Sequence, residues 1–244
     1  MNTKPFISVI IAALNEEEAI AQVINAVPKD LADEIVVVDN GSKDRTAAVA
    51  AAAGARVVNQ PVPGYGRAYQ TGVRSVSPEC EIVVFLDGDG SDCPEMMDRL
   101  VTPIVEHKAE FVIGSRTRGK REAGSMNFHQ VFAGYMIGSF LRILYGVRST
   151  DMGPFRAIRR DTLERLKLRE ETYGWPLEMQ MRAGRARVPT LEVPVDYRRR
   201  AGGHSKIAGT VRGSVLAATR ILITLARLAV QKGTDQTDFD PDPR

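Results

Sequence analysis

Cysteine is scarce: Cys80 and Cys93 are the only two in 244 residues. Two cysteines build no disulfide framework, and these lack the spacing of a metal-ligand pair, which fits a reducing compartment. Also missing is an unbroken run of about 20 apolar residues, the length a membrane-crossing helix needs. The apolar segment 128–141 stops at Arg142, and segment 211–230 carries Arg212, Arg220 and Arg227. At about 100° per residue, Arg220, Thr224, Arg227 and Gln231 share one face, so the second segment reads as an amphipathic helix rather than a span. No signal peptide is expected, because the N-terminus runs directly into an apolar strand. No GxGxxG follows that strand. LNEEEAI stands there instead, and its glutamates would repel a pyrophosphate. A GxxxxGK[ST] phosphate loop is absent too. A dinucleotide-binding domain and a P-loop enzyme are thereby excluded. There is no internal repeat and no linker before the tail.

What is present is an ordinary globular composition, 43% hydrophobic and 26% charged, long enough for one large α/β domain with a sizeable core. The net charge is only +3, but it is unevenly placed. Basic residues gather in RTRGKR (116–121) and YRRRAGGHSK (197–206), while 233–244 is an acidic tail with little to bury, expected to be disordered. The domain is expected to span 1–232.

The first half alternates strand and helix patterns. FISVIIAAL (6–14), DEIVVVDN (33–40), ARVVNQ (55–60), the run from Ile82 and AEFVIGSR (109–116) read as strands. Asn15 is expected to cap a helix with Glu16, Glu17 and Glu18 in its first turn. Ser42 or Asp44 caps an Ala-rich helix ending near Gly54. Residues 64–76 form a third helix, and Pro94 opens a fourth. Such alternation predicts parallel βαβ units. The second half is less regular. It holds the apolar segment 127–147, then STDMGPFRAIRRD (149–161), YGWPLEMQMRA (173–183) and a strand-like VPTLEVPVDYRRR (188–200).

The most informative run is IVVFLDGDGSD (82–92). Five apolar residues form a buried strand, and Asp87, Asp89 and Asp92 follow with Gly88 and Gly90 between them. Crowded carboxylates repel unless a cation neutralises them, and ligands of open α/β sheets bind at the carboxyl ends of strands. Hard carboxylate oxygens suit Mg²⁺ or Mn²⁺, which bridge to phosphates. The run therefore predicts a divalent metal holding a diphosphate. The plainer alternative is an acidic turn.

The order of SVIIAALNEEEAI, EIVVVDNGSKDRT, VVFLDGDGSD, VIGSR, DMGPFRAI, WPLEMQMRA and YRRRAGGHSK resembles the family-2 glycosyltransferases. It is most similar to their dolichyl-phosphate mannosyltransferase and polyprenyl-phosphate glucosyltransferase branch. The resemblance implies a GT-A fold, a mainly parallel sheet flanked by helices, with a donor half at about 1–116 and an acceptor half at about 117–232. It implies inverting transfer from a UDP- or GDP-sugar, with Mg²⁺ or Mn²⁺ as cofactor. Carried onto this chain, it places Ala12, Leu14 and Glu16 at the nucleotide, Asp39 at the base, and Asp87 and Asp89 at the ribose and metal. Asn40 replaces the commoner second aspartate. Ser91 stands where some relatives carry a glutamine, so the metal would lean on water or Asp92. Arg116, Arg118, Arg121 and Arg156 fall on the acceptor side, where arginine forks onto phosphate. Asp151 is the first candidate base and Glu178 the second. Arg200, Ser205 and Lys206 match the diphosphate loop, His204 is a loop residue, and Trp175 reads as a core aromatic.

The expected acceptor is a polyprenyl phosphate at the cytoplasmic face of a membrane. The alternative is a soluble or lipid hydroxyl acceptor. An anionic membrane surface and a second copy of the chain are the further partners considered, and nucleic acid is not among them. A nucleotidyltransferase would carry a glycine- and lysine-rich loop after the first strand, which is absent. A non-catalytic sensor fits poorly with intact Asp89, Arg200 and Lys206.

Overall fold

The computed structural model describes residues 4–126, 128–146, 149–202 and 223. Seven strands form one sheet in the order β3-β2-β1-β4-β6-β5-β7. β1 (Ile7–Ala13), β2 (Glu34–Asp39), β3 (Arg56–Asn59) and β4 (Ile82–Asp87) run parallel, as the βαβ pattern predicts. β5 (Phe111–Ser115) does not join β4. A short strand, β6 (Arg156–Arg159), enters between them antiparallel to both, and β7 (Thr190–Pro194) closes the edge beside β5.

Both faces of the sheet are covered, which is why its central strands read as continuous apolar runs. On β1, Val9 and Ile11 face one way, against Ile20, Val23 and Ile24 of α1 (Ile20–Ala26) and Leu100 and Ile104 of α4 (Met97–Val105). Ile10 faces the other way with Val36, Val38 and Phe85, against Tyr69 of α3 (Tyr65–Ser75) and Trp175 and Met179 of α7 (Trp175–Arg185). Trp175 is a core aromatic, stacked on Tyr69 with ring centroids 4.8 Å apart. α2 (Thr46–Ala52) lies between β2 and β3, and α6 (Arg160–Arg165) follows β6. α5 (Phe128–Tyr145) buries Ile137 and Leu141 against Leu177 and Met181 of α7.

The first helix starts later than expected. Asn15 adopts φ +51 and α1 begins at Ile20. The intervening turn is held from outside: Ser42 Oγ accepts from Asn15 N–H, Thr46 Oγ1 from Glu16 N–H, and Asp44 from Glu17 N–H. These side chains pull the β1–α1 loop onto the β2–α2 loop before the helix can form. Asp44 also accepts from Thr46 N–H at the start of α2, leaving Ser42 for Asn15.

Candidate active site

β4 delivers Asp87 to the carboxyl edge of the sheet, next to the end of β1. Asp87 Oδ1 accepts from the hydroxyls of Tyr65, at 3.0 Å, and Tyr69, at 2.8 Å. The chain then turns at Gly90, whose φ of +78 is a left-handed value glycine adopts without strain. The turn aims Asp89 back toward the same space. Asp89 Oδ1 accepts from Ser91 N–H at 2.9 Å and from Ser91 Oγ at 2.5 Å. Asp92 Oδ2 accepts from Asp87 N–H, and its buried Oδ1 has no hydrogen-bond partner among the described residues.

Arg200 answers this charge. Its Nη1 donates to Asp89 Oδ2 at 2.6 Å and its Nη2 to Glu16 Oε1 at 2.5 Å. One guanidinium thus joins the β1 loop, the β4 loop and the segment after β7. Burial first, then the Asp89 charge, pushes the Asp87 carboxyl up to about 7. Burial and the charges of Asp87 and Asp89 push Asp92 well above the carboxylate range. Arg200 by itself does not bring Asp87 and Asp92 back into the ordinary carboxylate range.

A cavity of about 300 Å³ opens here, lined by Ala12, Leu14, Glu16, Asp87, Asp89 and Arg200 among others. Its far wall holds Tyr65, Thr172 and Tyr173, which sequence reasoning missed. Thr172 and Tyr173 are brought in by the docking of loop 169–173 onto α3. Gly66 N–H donates to Thr172 O and Arg67 N–H to Glu171 O. A Cβ at Gly66 would sit 2.2 Å from Glu170 O, so only glycine permits the approach. A larger recess of about 490 Å³ lies at the opposite end of β4. There Arg159 pairs with Asp161 and Arg160 with Glu164. It is remote from the carboxylates and from the sheet edge where ligands of this architecture bind.

Several candidates are placed elsewhere. Asp39 Oδ1 accepts from Ser42 N–H, a turn contact, and Asp39 does not line the cavity. Asn40 lines it and uses its amide to tie the β2 loop to Gln60, Val62 and Gly64. Arg118 is exposed and donates to Glu192 O, and Arg121 is exposed. Ser205, Lys206, His204, the amphipathic segment 211–230 save Ile223, and the acidic tail lie outside the described residues.

Three of the expected residues are already bound to partners inside the protein. Asp151 is 2% exposed and accepts from Arg116 N–H, Nε and Nη2 and from Met152 N–H. Although burial opposes it, Arg116 holds the Asp151 carboxyl below its usual range. A carboxylate so saturated and so acidic is a poor general base at neutral pH, and it occupies the fork that Arg116 would offer a phosphate. Arg156 has no exposed surface. It donates to Gly153 O and Pro176 O, lies over Phe111, and burial draws its pKa down to about 10. With no exposed surface, it ties the Asp151 loop to the start of α7. Glu178 is fully buried and accepts from Arg169 N–H, Glu170 N–H and Arg182 Nε. It braces loop 169–173 rather than facing the cavity.

The donor set fits a divalent cation. Among the described residues no three carboxylate, imidazole or thiol groups form a closed cage. Mg²⁺ and Mn²⁺ sites that use one or two carboxylates and complete the shell with phosphate and water need none. Asp87 and Asp89 would supply such oxygens, and the buried Asp92 beside them adds to the negative charge that a cation would offset.

Residues 8–167 match the family described as Glycosyl transferase family 2. An uncharacterized glycosyltransferase of Mycobacterium tuberculosis is 36% identical over 213 residues, 86% of this chain and 94% of the relative. A dolichyl-phosphate hexose transferase of Haloferax volcanii is 31% identical over 222 residues, 90% of this chain and 94% of the relative. Glucosyl-3-phosphoglycerate synthase of M. tuberculosis, solved with Mn²⁺, UDP-glucose and phosphoglyceric acid, superposes with a TM-score of 0.74 at 25% identity. That superposition spans 93% of this chain and 80% of the synthase. The sheet is that of a GT-A glycosyltransferase. The chain belongs to glycosyltransferase family 2.

Proposed function

We propose that the protein is a metal-dependent, inverting hexosyltransferase that moves a sugar from a UDP- or GDP-sugar to a polyprenyl phosphate. The carrying observation is the convergence of Asp87, Asp89, Glu16 and Arg200 on one cavity at the carboxyl edge of the sheet. Ala12, Leu14 and Glu16 would border the nucleotide, Asp87 and Asp89 would hold the cation, and Arg200 would contact the diphosphate. When bound, Mg²⁺ or Mn²⁺ stabilises the charge that builds on the leaving nucleoside diphosphate.

The acceptor follows from the state of the two candidate bases. Asp151 and Glu178 are both committed to internal donors. An acceptor that arrives already ionised suits such a site, and a phosphate monoester with a second pKa of about 6 is largely dianionic at neutral pH. α5 supports a lipid: opposite its packed side it exposes Tyr135, Met136 and Ile143, the last 82% exposed. No described helix is long and apolar enough to cross a membrane, so contact with the cytoplasmic face would be peripheral. A soluble phosphorylated acceptor is the second reading, favoured by the synthase structure that holds phosphoglyceric acid. Labelled UDP- and GDP-sugars with Mn²⁺, offered polyprenyl phosphate or phosphoglycerate, separate the two. Label extracted into organic solvent supports the lipid acceptor, and water-soluble product only from phosphoglycerate rejects it.

The raised Asp87 carboxyl gives the metal reading a pH signature. A carboxylate whose pKa is raised by folding destabilises the folded state as pH rises from its unfolded value, near 3.9, toward its folded one. For Asp87 that window ends at about 7. A cation offsets the penalty only where the carboxylate is ionised. The rise in melting temperature on adding Mn²⁺ is therefore expected to be small at pH 5.5 and several degrees at pH 8. Because Arg200 holds Asp89 in the absence of metal, Arg200→Ala should enlarge that shift for Mn²⁺ alone while weakening nucleoside diphosphate binding about tenfold. A pH-independent shift, or none, counts against metal binding at Asp87 and Asp89.

A further inference from the structure

We infer that Tyr197 is a positioning residue that couples the acceptor-side Arg116–Asp151 pair to the metal-binding Asp89. The inference rests on the reading of Asp89 above and on the expected acceptor-side place of the Arg116 loop, whose guanidinium is held by Asp151, and it adds a residue to that site.

Tyr197 lies in the segment after β7 and is stitched to two loops at once. It bridges Asp92 on one side and Arg121 on the other. Its N–H donates to Lys120 O at 2.9 Å, and its carbonyl accepts from Glu122 N–H at 3.0 Å. The next turns of the segment bind the aspartate loop: Arg198 N–H donates to Ser91 O at 2.9 Å and Ala201 N–H to Asp89 O at 3.0 Å. The side chain is thereby held between the acidic loop and the basic loop.

Its two ends do different things. The ring lies under the Arg116 guanidinium, 4.9 Å from its centroid, a cation–π contact. The same guanidinium donates twice to Asp151, at 2.7 Å each. The hydroxyl lies 3.0 Å from Ser91 Oγ, which is itself 2.5 Å from Asp89 Oδ1. A serine hydroxyl carries one proton. Ser91 Oγ points that proton at both acceptors, Asp89 Oδ1 and the Tyr197 hydroxyl. Two acceptors on one hydroxyl fix the Ser91 rotamer and the tilt of the Asp89 carboxylate. The ring meanwhile fixes Arg116 and the Asp151 loop. One side chain thus sets the distance between the two halves of the site.

The ends can be separated by substitution. Tyr197→Phe keeps the ring and removes the hydroxyl that accepts from Ser91. It should raise the Mn²⁺ dissociation constant, read from the EPR signal of free Mn²⁺, about fivefold, the size of one hydrogen bond. The KM for acceptor should stay unchanged. Tyr197→Leu removes both ends and should raise the acceptor KM about fivefold as well. Ser91→Ala and Ser91→Ala/Tyr197→Phe complete a double-mutant cycle, in which the two losses in Mn²⁺ affinity should not add. Asp89→Ala serves as reference. If it abolishes Mn²⁺ binding while Tyr197→Phe changes nothing, or if the cycle is additive, the coupling role is overturned alone. If Asp89→Ala leaves Mn²⁺ affinity intact, the reading of Asp89 falls and the inference falls with it.

Discussion

Asp89→Ala is expected to cut sugar transfer about 10³-fold or more while the protein stays folded. The size follows from what the carboxylate does on the proposed reading. It would be one of two protein ligands to a cation that carries most of the stabilisation of the leaving diphosphate, and losing such a term costs on the order of 10²–10³ even for a single neutral donor. The modest effect on stability comes from two opposed changes. Arg200 loses its bond to Asp89 but keeps Glu16. Asp87 and Asp92 lose a like charge that now raises both their carboxyls. The sum is expected to lie within about 1 kcal/mol, the range of a partly exposed ion pair. The sign can be checked through pH. Burial and Asp89 together hold the Asp87 carboxyl at about 7, so the wild-type protein loses stability as pH rises toward that value. Without the Asp89 charge, the Asp87 pKa falls and the loss between pH 5 and 7.5 shrinks. Melting curves at the two pH values, beside turnover with UDP- and GDP-sugars, measure both parts. Full activity in Asp89→Ala, or in wild type with EDTA, would remove the metal from the mechanism.

The carboxylate edge was legible because its signals are local. The apolar runs of β1, β2 and β4 need no partner to be recognised, and the carboxylates following β4 stand at the one edge where such a sheet binds ligands. Ala12, Leu14, Glu16, Asp87 and Arg200 accordingly line one cavity. Illegible parts depend on contacts remote in sequence. RAIR shows only Ala157 and Ile158 between arginines, too short an apolar signal to announce a strand, yet it enters the sheet as β6 and parts β5 from β4. Thr172 and Tyr173 reach the cavity through the docking of loop 169–173 on α3, and Tyr65 through its bond to Asp87. Tyr197 matters through groups on two other loops. The acidic residues misled most. A buried carboxylate held by backbone N–H groups and arginine has the same sequence signature as a catalytic one, and only the partners distinguish them. For Glu178 half the answer was visible, since Arg182 stands four residues on along the same helix. The two N–H groups of loop 169–173 were not.

Glu178→Ala is expected to lower stability by about 3–5 kcal/mol, the cost of breaking a buried hydrogen-bonded ion pair. With net stability of about 5–15 kcal/mol for a folded domain, that is a large fraction of the whole. Two backbone donors, Arg169 N–H and Glu170 N–H, would lose their acceptor, and Arg182 would lose the carboxylate it donates to at 3.0 Å. The damage should spread to the cavity, because Glu170 O accepts from Gln70 Nε2 and Thr172 O accepts from Gly66 N–H, bonds that hold the wall carrying Tyr173. Glu178→Gln separates bracing from catalysis. Its amide oxygen can still accept from both N–H groups, but its NH₂ then faces the Arg182 donor, so a smaller loss of about 1–3 kcal/mol is expected. At a temperature well below its melting point this variant should keep kcat within about threefold of wild type, whereas removing a general base typically costs 10²–10⁴. Urea denaturation with parallel turnover measurements decides it. A Glu178→Gln protein as stable as wild type and at least a hundredfold slower would restore Glu178 to the chemistry.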